Sequence, residues 1–468
     1  MNVRSIIKNI ILSHRTFFLE NIGVRQTIFK NTFWLAVAEA ITRFLKLILI
    51  IYVARILGAT DYGKFTFALA FVSLFAIFSD LGVSQITTRE LSREKEKEKE
   101  FPAILSLKFL LSLGTLALIL IGSFFITPDP IIRGVIWILA IYIIVSGFSG
   151  IIFAFFQARQ QMEYQAWTKI LEAFLETAAG FFVILNFPSV QNLSFSYLFA
   201  GLVALISILL FFHFKVYHLC FSWDKSIWQR FLSMSWPLAL AGVFGAIYSQ
   251  IDSIMMGYWG QITQTGWYNA AHKIIGVTLI PMALISQSFF PALSIAFKES
   301  KEKLQRIWNY QIEIMILLAV PLVMGGIALA PRIIDFIYDP GYFPSILAFQ
   351  ILIVMAGISF LCGPFSQILV VSNQQKKLFF VTLAGAVINV ILNLILIPRY
   401  SLYGAAATTV VTVFLIFFLL FHFTSKLTPI KPLNLKSQKN QRPLPRKLPK
   451  FLSRLDTPSV VLPEKKQK

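Results

Sequence analysis

Apolar stretches longer than about 18 residues, the length that crosses a bilayer as a helix, recur along this chain from residue 32 to residue 424. The connections between them are short. Composition points the same way: 57% of the 468 residues are hydrophobic and only 14% are charged, against about 25% charged in ordinary soluble domains. A water-soluble fold would lack the polar surface to cover such a core. The expected fold class is therefore all-α: a polytopic membrane protein with about 12 transmembrane helices, arranged six and six.

The expected spans run over 32–56, 64–86, 103–126, 132–156, 166–187 and 195–217 in a first bundle (residues 32–217). Those of a second bundle (218–425) are 230–257, 267–297, 310–336, 345–371, 377–397 and 404–424. Residues 1–31 read as a basic cytoplasmic N-terminus. Ile6, Ile7, Ile10 and Ile11 fall at helical spacing within it, as in an interfacial amphipathic helix, and no cleavable-signal pattern is present. Residues 426–468, rich in Lys and Pro, read as a disordered basic tail.

The net charge of +20, from 42 Lys+Arg and 22 Asp+Glu, would suggest nucleic acid in a soluble chain. Here it has a simpler source. With the N-terminus inside, 33 of the 42 basic residues fall on one face, including five from Arg89 to Lys99 and twelve in the tail. Only Arg55, Lys64, Arg133, Arg332 and Arg399 fall on the other. Cytoplasmic loops collect Lys and Arg, so both termini are expected in the cytoplasm of an inner-membrane protein, with no nucleic-acid partner. Cys220 and Cys362 form no CxxC or metal spacing and read as packing residues, and no histidine pattern suggests a metal. An even number of spans per half makes any duplication a parallel one, with the substrate path between the halves. Trp34 and Trp236, then Gly58…Tyr62 and Gly257…Tyr268, give a loose repeat.

Ionisable residues inside spans cost roughly 2.5–3.5 kcal/mol at the bilayer centre and so mark interior or aqueous faces. Glu39, Arg43 and Lys46 share one face of span 1, with Arg43 about 16 Å from the cytoplasmic end. Glu39 can neutralise Arg43, which leaves Lys46 without a partner on its own helix. Lys169, Glu172 and Glu176 form a stripe in span 5, Glu176 the deepest. Asp252 in span 7 and Lys273 in span 8 either pair across their hairpin or line the lumen. Lys108 and Glu313 read as snorkelling residues, and Asp80 before Gly82 as a cap or a functional group. Gly58-Ala-Thr-Asp-Tyr-Gly63-Lys64-Phe65 mimics a phosphate-binding loop, but Phe65 stands where Mg²⁺ needs Ser or Thr, and the strand–loop–helix context is missing. No cofactor and no catalytic machinery are expected, since every loop is too short for a catalytic domain.

Ala54-Arg55-Ile56-Leu57-Gly58-Ala59-Thr60-Asp61-Tyr62-Gly63, followed by a helix ending in Asp80-Leu81-Gly82, resembles signatures of the polysaccharide transport (Wzx-type) flippases. So do Asp252-Ser253-Ile254-Met255-Met256-Gly257 and Gly266-Trp267-Tyr268-Asn269-Ala270-Ala271-His272-Lys273. The resemblance extends over about residues 30–425, within the superfamily that also holds the MATE exporters and the lipid II flippase. It implies a V-shaped pair of six-helix bundles that alternates access. It also implies a basic cavity receiving the pyrophosphate of a lipid-linked oligosaccharide of the undecaprenyl-pyrophosphate type, alongside membrane lipids and other polysaccharide assembly proteins as partners. Arg43 and Arg55 match span 1 arginines of the lipid II flippase, where the first type is associated with substrate. Leu49-Ile50 replaces a charged Arg-Asp pair of that relative, and twelve expected spans replace fourteen, which favours the oligosaccharide branch. Arg43, Lys46, Arg55 and Lys273 are then the candidate substrate contacts, and Glu39, Glu176 and Asp252 the candidate coupling or cavity acids. Arg and Lys near the midplane suit a pyrophosphate crossing hydrocarbon. A MATE-type exporter of organic cations is the alternative; it calls for an acidic or aromatic lumen. A membrane-embedded enzyme or a non-transporting scaffold are the remaining classes.

Overall fold

The computed structural model describes Asn21 and residues 23–425; the expected amphipathic N-terminal segment and the basic tail lie outside the described residues. Among the described residues there is no strand. The helices are α1 (Val24–Phe75), α2 (Val83–Arg93), α3 (Phe101–Ile126), α4 (Pro130–Ala158), α5 (Met162–Asn186) and α6 (Val190–Lys215). They continue with α7 (Lys225–Tyr258), α8 (Ile262–Thr278), α9 (Ile280–Glu299), α10 (Lys301–Ile337), α11 (Ser345–Val371) and α12 (Gln375–Ser425). Starts are set locally: the Asp129 carboxylate accepts from Ile131 N, Ser189 Oγ from Asn192 N and Ser300 Oγ from Lys303 N, which satisfies first-turn donors.

Two helices are hairpins in disguise. Within α1, Gly58 has φ 73° and ψ 171°, a conformation that only glycine adopts without strain. Ile50 and Ser73 line one cavity, whereas a straight helix would separate them by about 35 Å; the chain folds back at Gly58. Within α12, Asn393 and Thr409 both reach Asp252 from opposite sides of the break at Ser401. Nine runs among the described residues are long and apolar enough to cross a membrane. The distance from the expected twelve lies in these two hairpins, each counted as one run, and in α5, whose Glu163, Lys169, Glu172 and Glu176 lower its hydropathy.

At the Gly58 face the two halves meet around a local two-fold relation. Thr60 Oγ1 lies 2.8 Å from Thr263 Oγ1, 203 residues on. Gly63 and Gly266, at the same separation, cross so closely that a Cβ on Gly63 would stand 2.0 Å from Ile262 O. A Cβ on Gly266 would stand 2.0 Å from Ala59 O. The residues matched across the halves are therefore Thr60 with Thr263 and Gly63 with Gly266, a different register from the Gly58 and Gly257 of the sequence repeat. Tyr342 donates to Ala54 O (2.9 Å), Trp267 Nε1 to Gly341 O (2.7 Å) and Ser345 Oγ to Trp267 O (2.8 Å), closing this end.

At the opposite, basic face a second core of Phe101, Phe155, Phe156 and Phe212 also takes in Phe231 from the start of α7. Trp228 Nε1 donates to Ala103 O (2.8 Å) and Arg230 pairs with Glu100. The first turns of α7 thus pack on the first half. The charged 94–100 segment is held in the same way, Arg159 meeting Glu98 through two hydrogen bonds (2.9 and 2.6 Å) while lying over the Phe155 ring. Hydrogen bonding from Lys97 holds the Glu90 carboxyl below its ordinary range.

Two expectations are corrected. Lys108 does not snorkel: it is 1% exposed and its Nζ lies 3.0 Å from Asp80, a counter-ion supplied by the break at the end of the second arm of α1. Cys220 is exposed in the α6–α7 connection rather than packed; Cys362 is half-buried.

Candidate functional site

A cavity of about 320 Å³ opens between the halves. The first half contributes Lys46 from the first arm of α1, Tyr62, Thr66 and Ser73 from its second arm, Tyr142 (α4), Glu176 (α5) and Tyr197 (α6). The second contributes Gln250 from α7 and Asn269 and Lys273 from α8. Apolar residues such as Ile50, Phe65 and Leu69 complete the wall. The Gly58-face contacts roof it.

Three of the expected site residues converge here. Lys46, left without a partner by its own helix, finds one on α5: its Nζ lies 2.8 Å from Glu176 Oε2. Glu176 is fully buried while Lys46 is 35% exposed, so the pair presents its cationic side to the cavity. Lys273 enters from the other half and makes no hydrogen bond or ion pair with any described residue. The Tyr62 hydroxyl, buried in the roof, also lacks a partner among the described residues. Two ammonium groups, one carboxylate and a set of hydroxyls and amides thus share one apolar-walled space, with net positive charge.

The others are placed elsewhere. Arg43 Nε and Glu39 Oε1 lie 2.6 Å apart, both exposed, which is the neutralising pair read from their spacing; they stand outside the lining of the cavity. Arg55 is also outside it. Its guanidinium donates to Ile337 O (2.6 Å) and to Phe336 O, the last carbonyls of α10, where free acceptors and the helix dipole favour a cation. The Arg55 side chain is spent on joining the halves.

Asp252 and Lys273 do not pair across their hairpin. Asp252 turns into the second half, where Oδ2 accepts from the Tyr268 hydroxyl (2.6 Å) and from Thr409 (2.9 Å), and Oδ1 from Asn393 Nδ2 (2.5 Å). Asn393 Nδ2 also lies 3.1 Å from Asn389 Oδ1, and the His272 ring stacks on Tyr268 at 5.8 Å. Every partner of this buried carboxylate is neutral. Tyr268, Asn389, Asn393 and Thr409 were not anticipated. The two asparagines, one helical turn apart in an apolar span, are a legible signal of an interior polar face; the tyrosines and threonine are not. Among the described residues no group of three or more His, Cys, Asp or Glu could hold a metal ion.

This geometry sits on a known family and fold. The family model for polysaccharide biosynthesis proteins matches residues 28–297, more than half of the chain. The chain belongs to that family. It is 22% identical over 397 residues to a Haloferax volcanii protein named as a probable low-salt glycan biosynthesis flippase, Agl15, covering 82% of this chain and 80% of that protein. It is 19% identical over 410 residues to the capsular polysaccharide biosynthesis protein CapF of Staphylococcus aureus, covering 85% and 99%. Among solved structures, the lipid II flippase MurJ in an inward closed conformation superposes with TM-score 0.68 at 15% identity, covering 83% of this chain and 87% of that one. A MATE-family multidrug resistance transporter in an inward-facing conformation gives TM-score 0.67 at 16% identity, covering 84% and 96%. The polysaccharide biosynthesis family member described here is thus an all-α, multi-pass membrane protein with the MATE/MurJ-type fold. Its cavity residues from Lys46 to Lys273 all lie inside the family match.

Proposed function

We propose that this protein is a flippase that carries a polyprenyl-pyrophosphate-linked oligosaccharide from the cytoplasmic to the outer leaflet of the inner (plasma) membrane by alternating access. The observation that carries the reading is Lys273: a cation deep in a membrane-spanning helix, facing a cavity that both halves line, with no ion pair to any described residue. A buried charge is tolerated when a counter-charge arrives, and a pyrophosphate supplies one. Lys46 faces the same space from the other half, so a bound head group would be held by both bundles while the polyprenyl chain stays in lipid. The 33-to-5 distribution of basic residues supports a cytoplasmic basic face. The cavity then lies below a sealed outer end, in the position an inward-facing carrier needs. An exporter of organic cations would meet repulsion from Lys46 and Lys273.

Asp252 is the coupling acid in this reading. A carboxylate held only by neutral donors becomes electrically balanced by taking up a proton, and its network of Tyr268, Asn393 and Thr409 spans α7, α8 and both arms of α12.

The test is transbilayer movement of a polyprenyl-pyrophosphate-linked oligosaccharide in proteoliposomes. Wild type should move it, and Lys273→Ala and Lys46→Ala should each lower the rate at least tenfold. Transport by Lys273→Ala at the wild-type rate would overturn the assignment of the cavity, and export of a fluorescent organic cation in its place would revert the function to the MATE type. Asp252→Asn should blunt the response to an imposed proton gradient; an unchanged response removes Asp252 from that role.

A further inference from the structure

The Lys46–Glu176 pair is unusual in what surrounds it. Glu176 is fully buried, with the Tyr197 hydroxyl as its neutral neighbour. Its one ion partner is an ammonium that also faces the cavity. The other charged or titratable groups around it are Tyr142 from α4, Tyr197 from α6, Glu172 from α5 itself, Glu39 beside Lys46 on α1, and Lys273 across the cavity on α8. None of these is a second cation in contact with Glu176. A ligand anion that takes Lys46 for itself therefore strands a carboxylate in an apolar interior, which is strongly unfavourable while the carboxylate keeps its charge.

We propose that Glu176 is a built-in stand-in for the ligand's phosphate, and that it gives up Lys46 in exchange for one proton. The Lys46–carboxylate ion pair breaks and the ammonium pairs with a phosphate oxygen. The Glu176 carboxylate takes a proton from the solvent reaching the cavity and becomes a neutral acid, with the Tyr142 and Tyr197 oxygens beside it as acceptors. When the anion leaves, the proton leaves and the pair re-forms. In the empty state the stand-in cancels the charge of Lys46 and leaves Lys273 as the unpaired cation among the described residues lining the cavity. In the loaded state one proton travels with each anion. This exchange rests on the anion-carrier reading of the cavity and adds to it a defined proton stoichiometry in the first half of the molecule. Linkage sets the sign: binding that takes up a proton is favoured at low pH and weakens by up to tenfold for each unit of rise.

The experiment is calorimetric titration of the full chain in lipid nanodiscs with farnesyl pyrophosphate, in two buffers of different ionisation heat at one pH, which counts protons per molecule bound. Wild type should take up a net proton approaching one. Glu176→Gln should bind without uptake, at least as tightly as wild type, and with affinity no longer weakening as pH rises. Binding to wild type with no net uptake overturns the exchange without need of any variant, as does uptake that persists in Glu176→Gln. Both of those results leave the anion-binding cavity standing. Failure of farnesyl pyrophosphate to bind wild type and Glu176→Gln alike overturns the cavity reading and the exchange together.

Discussion

The two halves of this protein each bury one deep acid, and they stabilise it by opposite means. In the first half Glu176 is held chiefly by a single cation, Lys46 at 2.8 Å. In the second, Asp252 is held by three neutral donors on α8 and α12, with no cation among its partners. An ion pair is broken by any competing charge of the right sign, so Glu176 is sensitive to what enters the cavity. A neutral hydrogen-bond cage lets no anion compete, because nothing in it is positively charged; Asp252 can respond only to a cation. In the proposed cycle the same residue chemistry thus gives one acid that answers to the substrate and one that answers to a coupling ion.

The largest effect expected from this difference is on the ion pair. Lys46→Met leaves Glu176 buried without its ion partner and should destabilise the protein by about 3–5 kcal/mol, read as unfolding free energy in lipid nanodiscs. The double variant Lys46→Met/Glu176→Gln removes both charges and should recover most of that loss, a strong departure from additivity. Additive losses would mean that the two groups are stabilised independently, and the comparison would fail at its first member.

Much of this architecture was legible beforehand, and the boundary of legibility is physical. Long apolar runs fix helices that cross a membrane whatever their partners, so the all-α class and most helix positions follow from composition and length. Spacing along one helix is equally readable, and it gave the Glu39–Arg43 pair. Contacts between helices leave no such trace. Nothing local says that Lys46 reaches Glu176, that Lys108 reaches Asp80 or that Arg55 caps α10; each depends on which helices become neighbours. Depth alone placed Asp252 and Lys273 close enough to pair, and their different faces separated them. The local two-fold at Thr60 and Thr263 was obscured for a further reason. The α7–α8 turn spans Trp259, Gly260 and Gln261 between its helices, where the first half turns at Gly58 alone, which shifts the apparent repeat.

In the second half single deletions should cost less, because the cage is shared. Asn393→Leu removes the amide that donates to Asp252 Oδ1 at 2.5 Å and leaves the other two donors in place. Hydrogen bonds to a charged group are worth about 1.5–3 kcal/mol, and a loss in that range, below that of Lys46→Met, keeps the contrast. A loss equal to that of Lys46→Met would show that the network behaves as a single cooperative unit.

Thr409→Val should have the smallest effect. The Thr409 hydroxyl carries one proton but has two acceptors at 2.9 Å, the Asp252 carboxylate and the Ala405 carbonyl one turn back on its own helix. It can donate to only one at a time, and Tyr268 already donates to the same Asp252 oxygen at 2.6 Å. Valine matches threonine in shape, so no cavity follows, and the Ala405 carbonyl keeps its helical partner. A cost of about 1 kcal/mol is expected, with the response to an imposed proton gradient retained through Tyr268 and Asn393. If Thr409→Val abolished that response while leaving stability nearly unchanged, the hydroxyl would be a direct ligand of the coupling ion. The cage around Asp252 would then be a binding site for the ion itself, beyond its part in supporting a buried acid.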